Sequence, residues 1–418
     1  MTRHSGHVLV AGGGIIGIAC AWYLRQSGFN VTLIDKDKVG DACSRGNCGY
    51  ICPSHILPLT VPGAIATGFR SLVTPSAPFR VKPQFRASLI AWMWNFAKRC
   101  NRRDMLQAGK HIQSIADASA EEFTRLFAQT SLDADRNESG MLFLFGNRRA
   151  FDDFTGTDTM LTEEFGLAAR RLVDDELQSV EPAVRPDLAG GFLYESDSFL
   201  RPEALTRNWA SLLAENGVEI LEGCELLDVA RDSGRVSAVE TSRGRISADR
   251  YVFAIGAWSR DLGDALECRI PVEPGKGYSM TMQRSSDCPA MPMIFKERHV
   301  GATPFDDGYR LGSMMEFAGF DDSIPAFRMQ QLRDAEAEYL RQPGGADVIE
   351  KWCSWRPMTW DSVPIIGRLP RLSNAVLATG HNMLGVTMAP ATGRLVAEIL
   401  SETTPHIDPT PFSPARFD

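Results

Sequence analysis

The sequence predicts an α/β chain: a parallel sheet wound with helices, interrupted by an α+β domain built on an antiparallel sheet. Three observations predict it. First, residues 7–35 read HVLVAGGGIIGIACAWYLRQSGFNVTLID. A short apolar strand runs into Gly12, Gly14 and Gly17 at G-x-G-x-x-G spacing, then into a helix closed near Gly28, then into a second strand ending at Asp35. Second, residues 251–255 form a continuously apolar run, as a central parallel strand does, and lead into Gly256. Third, the segments between have a different pattern, with long strands at 277–283, 299–305 and 309–317 that suit an antiparallel sheet. The first feature marks the parallel part as a Rossmann-type dinucleotide-binding domain.

Each residue of the opening motif has a physical task. Gly12 allows the tight turn, Gly14 lets backbone N–H groups approach a pyrophosphate, and Gly17 lets helix and strand pack closely. The helix N-terminus adds partial positive charge for the phosphates. Asp35 accepts hydrogen bonds from ribose hydroxyls. The motif specifies a dinucleotide and leaves its identity open.

After Asp35 comes a long stretch rich in Gly, Pro, Ser, Asn and Cys, read as an ordered loop beside the dinucleotide turn, a usual place for function. Helical periodicity follows over 84–130 as two amphipathic helices, with a strand at 140–145 and a charged helix over 160–181. Pro202 and Gly217 bracket another helix, and short alternating strands fill 218–259. A charged helix at 327–342 closes the second insertion. The chain then returns through a turn-rich stretch, a strand at 374–378 and a helix over 383–400. The expected dinucleotide domain is therefore discontinuous (1–60, 186–262 and 352–418), and the inserted substrate domain comprises 61–185 and 263–351.

Composition narrows the function. The net charge of −8 over 418 residues argues against a nucleic-acid partner, which needs a basic surface. Nine scattered cysteines suit free thiols in a reducing, cytoplasmic setting better than a disulfide framework. The C-x4-C-x3-C spacing of Cys43, Cys48 and Cys52 matches no ferredoxin pattern, so no metal is expected. The N-terminus leads into the first strand without a secretory h-region. The uncharged stretch 46–69 holds Pro53, Pro58 and Pro62 and does not read as a membrane span. The run LIAWMWNF at 89–96 is too short to span. It reads as the buried face of a helix, with a peripheral contact on the inner membrane as the alternative.

Four stretches together give the chain a resemblance to a known group: the opening turn with Asp35; FAIGAWS at 253–259; HVGATPFDDGYRLGSMMEFAGFD at 299–321; and WRPMTWDSVPIIGR at 355–368 with the following ATGHNMLGVTMAPATGRLVAEIL. The sequence resembles the D-amino-acid oxidase and glycine oxidase superfamily of flavoproteins, most of all its bacterial D-amino-acid dehydrogenase branch. The resemblance implies non-covalent FAD. It places Gly12, Gly14, Ile15, Ile16, Gly17, Asp35 and Lys36 at the cofactor, with Ser44 at the pyrophosphate. It places Asn47, Cys48, Gly49, Tyr50 and Ile51 at the flavin edge. Leu226, Ala254, Gly256 and Trp258 complete one wall. Gly380, His381, Met383, Leu384, Gly385, Val386 and Thr387 form a second turn and helix N-terminus that stabilises charge on the reduced ring.

Arg356, in its R-P context, matches the family arginine that grips the substrate carboxylate, a task for which the planar fork of arginine is suited. Tyr278 and His55 are further candidates for the substrate pocket. His381 reads as a structural histidine rather than a base. The implied activity is oxidative deamination of D-amino acids to 2-oxo acids and ammonia, with hydride passing from Cα to flavin N5 and electrons onward to a quinone. The distinctive GNCGYICPSH loop keeps open a dehydrogenase of D-proline or cis-4-hydroxy-D-proline. Glycine or sarcosine oxidation is a further alternative.

Overall fold

A computed structural model describes residues 6–66, 68, 77–82 and 86–418. Its first layer is a six-stranded sheet in the spatial order Ile365–Leu369, Leu372–Thr379, Arg250–Phe253, His7–Ala11, Asn30–Ile34, Glu219–Leu221. All pairings are parallel except that of the two C-terminal strands. The strands read as apolar runs because helices cover the sheet. Two of those helices, Ile15–Gln26 and Gly385–Ser401, lie against each other. Gly393 permits the approach, since a Cβ there would sit 2.5 Å from the Ala19 backbone. A small antiparallel meander, Leu226–Asp232, Arg235–Thr241 and Gly244–Ile246, flanks this layer.

The inserted layer is a nine-stranded, largely antiparallel sheet. Its spine is Gly345–Thr359, Val272–Arg284, Gly308–Phe317 and Val300–Pro304, extended by Met293–Phe295, Met141–Phe145, Gly190–Tyr194 and Arg170–Leu172, with Phe79–Val81 paired to the end of Gly308–Phe317. Helix Ala326–Tyr339 covers one face, and the other faces the nucleotide layer. Three cores, one in the first layer, one at the junction and one under the inserted sheet, fill the interior.

The order of parts follows the sequence reading, with three corrections. The helix expected over 160–181 is two helices, Arg148–Phe165 and Asp174–Val180, because Gly166 ends the first in a left-handed turn (φ +71). The expected boundaries at 186 and 352 cut through the inserted sheet, which takes Gly190–Tyr194 and the whole of Gly345–Thr359. The tryptophan-rich stretch around Arg356 is therefore strand, not loop; Pro357 is tolerated there because the strand lies at the edge of the sheet. The start expected for the first amphipathic helix, at 84, lies outside the described residues; the described helix runs Ala87–Arg99.

Candidate active site

A cleft of about 390 Å³ runs along the C-terminal ends of the parallel strands. That is the expected position for a ligand of a doubly wound sheet. At one end stand Gly12, Gly14, Ile15 and Ile16 from the opening turn, with Asp35 and Lys36 from the second strand. Gly17 lies behind them and makes the turn possible: a Cβ at Gly17 would fall 1.7 Å from the Gly12 carbonyl oxygen. The Asp35 carboxylate accepts from the Gly13 amide (2.6 Å) and the Asp37 amide (2.8 Å), which holds it at the cleft wall. Burial raises its pKa, opposed by those two amides. Leu226, Ala254, Gly256 and Trp258 form the facing wall, and Lys36 Nζ sits 4.2 Å from the Trp258 ring centre.

The loop after residue 42 is pinned to this turn. Ser44 Oγ accepts from the Ile15 amide at 3.0 Å, and Asn47 Nδ2 donates to the Ser44 carbonyl at 2.6 Å. A buried guanidinium from the inserted sheet completes the hold. Arg310 donates to the Arg45 carbonyl (3.1 Å), the Asn47 carbonyl (2.8 Å), Thr281 Oγ1 (2.9 Å) and the Glu203 carboxylate (3.0 Å). Arg310 was not singled out in the sequence, where it reads as an ordinary strand charge.

At the far end, Arg356 borders the cleft, half-buried. Its Nη1 donates to the Met314 carbonyl at 2.8 Å, which the left-handed backbone of Met314 (φ +71) helps present. Its guanidinium lies over Gly277, where any Cβ would meet it at 2.2 to 2.5 Å. Among the described residues no carboxylate forms an ion pair with it. Burial lowers the pKa of the group, yet a guanidinium stays charged at any working pH. A desolvated cation without a partner anion is costly, so the site calls for an anionic ligand group. Next to Arg356 the second turn is anchored in register. The Asn382 amide donates to the Pro357 carbonyl (3.2 Å), and Asn382 Oδ1 accepts from the Thr359 amide (2.9 Å). Met383, Gly385 and Val386 then bring the N-terminus of helix Gly385–Ser401 to the cleft.

The cleft fits a dinucleotide on its own features. A Cβ at Gly256 would meet nothing within 4 Å, and one at Gly385 would meet only the His381 Cβ at 3.8 Å, so both glycines border open space. Trp355 lines the cleft, and its buried Nε1 has no hydrogen-bond partner among the described residues.

The comparisons agree. The family model described as FAD dependent oxidoreductase (DAO) matches residues 7–399. The chain belongs to the FAD-dependent oxidoreductase family. This oxidoreductase is 30% identical over 416 residues to the D-amino acid dehydrogenase of Neisseria meningitidis serogroup C / serotype 2a, covering 98% of this chain and 99% of the relative. It is also 30% identical, over 418 residues, to that of Methylobacterium nodulans, with the same coverage. Among solved structures it is similar to glycine oxidase from Geobacillus kaustophilus (TM-score 0.76, 22% identity, 98% of each chain). It is also similar to L-proline dehydrogenase from P. horikoshii (TM-score 0.75, 20% identity, 99% of this chain and 98% of the other). FAD is the dinucleotide this family binds, and the Rossmann-type fold is theirs.

In this oxidoreductase several expected site residues stand away from the cleft. Tyr278 is buried on the other face of the inserted sheet, its hydroxyl bonded to Glu316, which also pairs with Arg328 of helix Ala326–Tyr339. Successive strand residues point to opposite faces, so Gly277 under Arg356 turns Tyr278 away. His55 packs edge-on to Phe143 (6.2 Å), and burial pushes its pKa down to about 4. Cys48, Gly49, Tyr50 and Ile51 continue from the cleft into the junction. Thr387 Oγ1 donates to the Tyr50 carbonyl there at 2.9 Å. Gly380 and Leu384 shape the second turn from behind. Cys43, Trp355 and Asn382 also line the cleft, and of the three the sequence gives no role to the second. The Trp beside the R-P pair was the available signal for the second.

His381 borders the cleft, but its Nε2 pairs with buried Thr392 Oγ1 at 3.0 Å, and burial pushes its pKa down to about 3. The imidazole is neutral throughout the working range. A His381→Asn enzyme is therefore expected to keep the acidic limb of its kcat/KM profile where the parent has it. Displacement of that limb in stopped-flow reduction rates would contradict a purely structural role. Because the folded pKa is depressed, the native state resists protonation. His381 thus lowers stability as pH falls through its unfolded value of about 6.5, and the loss levels off below about 3.

Proposed function

We propose that this chain is an FAD-dependent D-amino acid dehydrogenase that converts D-amino acids to 2-oxo acids and ammonia. The observation that carries the reading is Arg356, a half-buried cation at the end of the FAD cleft that no carboxylate among the described residues pairs with. Its fork binds the substrate carboxylate in two parallel hydrogen bonds and fixes Cα relative to the cofactor. FAD, when bound, supplies the two-electron oxidation. Beside the guanidinium the ionisable neighbours are Cys43 and Cys48, both thiols raised by burial and so neutral. Neither serves as a base, and the substrate binds productively as its neutral amine. The resulting imine is hydrolysed by water. The D configuration rests on the similarity to the Neisseria and Methylobacterium enzymes.

The deciding experiment is anaerobic mixing of the yellow holoenzyme with D- and L-amino acids, D-proline, hydroxyproline isomers, glycine and sarcosine. Bleaching of the flavin band by primary D-amino acids supports the reading. Bleaching by cyclic imino acids alone replaces it with the imino-acid dehydrogenase. No bleaching by any of them overturns it.

The electron acceptor in this reading is a quinone, met at a membrane surface. No described helix is long and apolar enough to cross a membrane. Helix Ala87–Arg99, however, buries Leu89 and Trp92 and turns Ile90 (60% exposed), Met93 and Trp94 (65% exposed) outward. The expectation of a buried LIAWMWNF face accounts for only half of the helix. Its end carries Lys98 and Arg99, and no acidic residue occurs between Asp41 and Asp104 in a chain of net charge −8. An apolar outward face with a basic end is an interfacial arrangement. Ile90→Glu with Trp94→Glu is expected to abolish sedimentation with phosphatidylglycerol vesicles while leaving reduction by substrate intact. Unaltered sedimentation would remove the membrane contact from the reading.

A further inference from the structure

The resemblance places Cys48 at the flavin edge, but its side chain turns the other way. The Cys48 thiol lies on the inserted sheet at Gly312, where a Cβ would stand 2.5 Å from Sγ. Gly312 pairs with Ser279 on one side and Gly301 on the other. At Gly301 a Cβ would stand 2.5 Å from the Tyr50 hydroxyl. Gly277, two residues from Ser279 on the same face, carries the Arg356 guanidinium. One face of the sheet is therefore a floor of glycines on which Arg356, Cys48 and Tyr50 lie side by side. Arg356 is close enough for its charge to act on the Cys48 thiol.

Arg356 apart, that neighbourhood is tightly held and uncharged. Thr303 Oγ1 donates to the Cys48 carbonyl at 2.8 Å, and the Gly49 amide donates to Asn47 Oδ1 at 2.7 Å. Tyr50 is held by the Met293 carbonyl at 3.1 Å. Arg310, the other nearby cation, is consumed by Glu203 and two carbonyls. Burial raises the thiol pKa, so Cys48 presents an uncharged, compact surface.

We propose that Cys48 is a specificity-determining residue, the wall that limits the size of the group carried on the α-carbon of a carboxylate anchored at Arg356. The proposal rests on the carboxylate-binding reading of Arg356 and adds the substrate class: small, uncharged side chains. A wall held against backbone on one side cannot retreat, so each added carbon must displace it. A hydrophobic wall of this kind discriminates by about 10-fold or more per methylene.

The test uses FAD-loaded enzyme and two readouts. The first is kcat/KM for D-alanine, D-2-aminobutyrate and D-leucine. The second is binding of acetate, propionate and isovalerate, read as perturbation of the flavin absorption band, which needs no turnover. Cys48→Ala is expected to raise the large-to-small preference about 10-fold in both series. Cys48→Leu is expected to lower it. FAD affinity, measured by fluorescence titration, stays with the parent in the alanine variant, because Cys48 is not in the dinucleotide wall. Unchanged preference in a folded, FAD-loaded Cys48→Ala enzyme overturns the proposal. A parent enzyme that binds the carboxylates but oxidises none of the amino acids overturns the dehydrogenase reading alone. The carboxylate series then still decides whether Cys48 sets the size limit.

Discussion

Replacing Arg356 with alanine is expected to lower kcat/KM for the amino-acid substrate by about 30-fold to about 5,000-fold, the equivalent of about 2–5 kcal/mol for losing one partner of a desolvated charge pair. FAD content should survive, since among the described residues this side chain is held by the Met314 carbonyl and not by the dinucleotide turn. Carboxylate ligands should lose their effect on the flavin band in the same proportion. Arg356→Lys is expected to recover only a fraction, because an ammonium cannot reproduce two parallel bonds to a carboxylate. Steady-state kinetics with the flavin absorbance ratio as a check on loading measures all of this. An alanine variant with parental kcat/KM would remove Arg356 from substrate binding and with it the basis of the proposed reaction.

The second large effect is at Gly17. A methyl group there would need space occupied by the Gly12 carbonyl oxygen, 1.7 Å away. No rotamer relieves the overlap, because both partners are backbone. The turn must open, and the amides that would receive the pyrophosphate then lose their alignment. Gly17→Ala is expected to yield protein without yellow colour, whose melting temperature no longer rises on adding FAD. Gly156→Ala provides the control. It lies in helix Arg148–Phe165 with open space around it and should bind FAD as the parent does, with stability equal or slightly higher. An FAD-saturated Gly17→Ala protein would contradict the placement of the cofactor on this turn.

The sequence made some parts of this arrangement readable and concealed others, for reasons visible in single residues. The opening turn was readable because its glycines, helix and Asp35 are local: spacing alone reports their geometry. The C-terminal return was readable for the same reason, with Gly380 and the helix that follows it. The facing of Tyr278 was not, because strand Val272–Arg284 is buried on both faces over most of its length. The alternation of Tyr278, Met280 and Met282 with Ser279, Thr281 and Gln283 separates the two faces but does not say which of them meets the nucleotide layer. The break at Gly166 was hidden by charged residues that fit a helix on either side. Arg310 and Glu203 lie more than a hundred positions apart, and only tertiary folding makes them partners. The loop at 43–52 was readable as important but not as to which side chain faces which layer, since that depends on the glycines of a distant sheet.

Strand Gly345–Thr359 begins in the inserted sheet and ends hydrogen-bonded to the turn that opens the C-terminal helix. Arg310 ties the two layers together on the other flank. These ties oppose any hinge between the two layers, since swinging them apart would drag the guanidinium of Arg356 away from the turn it is registered to. Access to the site is then a matter of local breathing at the cleft rim rather than of jaws that open and shut. Ligand exchange should leave the radius of gyration in small-angle scattering constant. An expansion on removing the ligand would reveal a hinge that these ties do not allow.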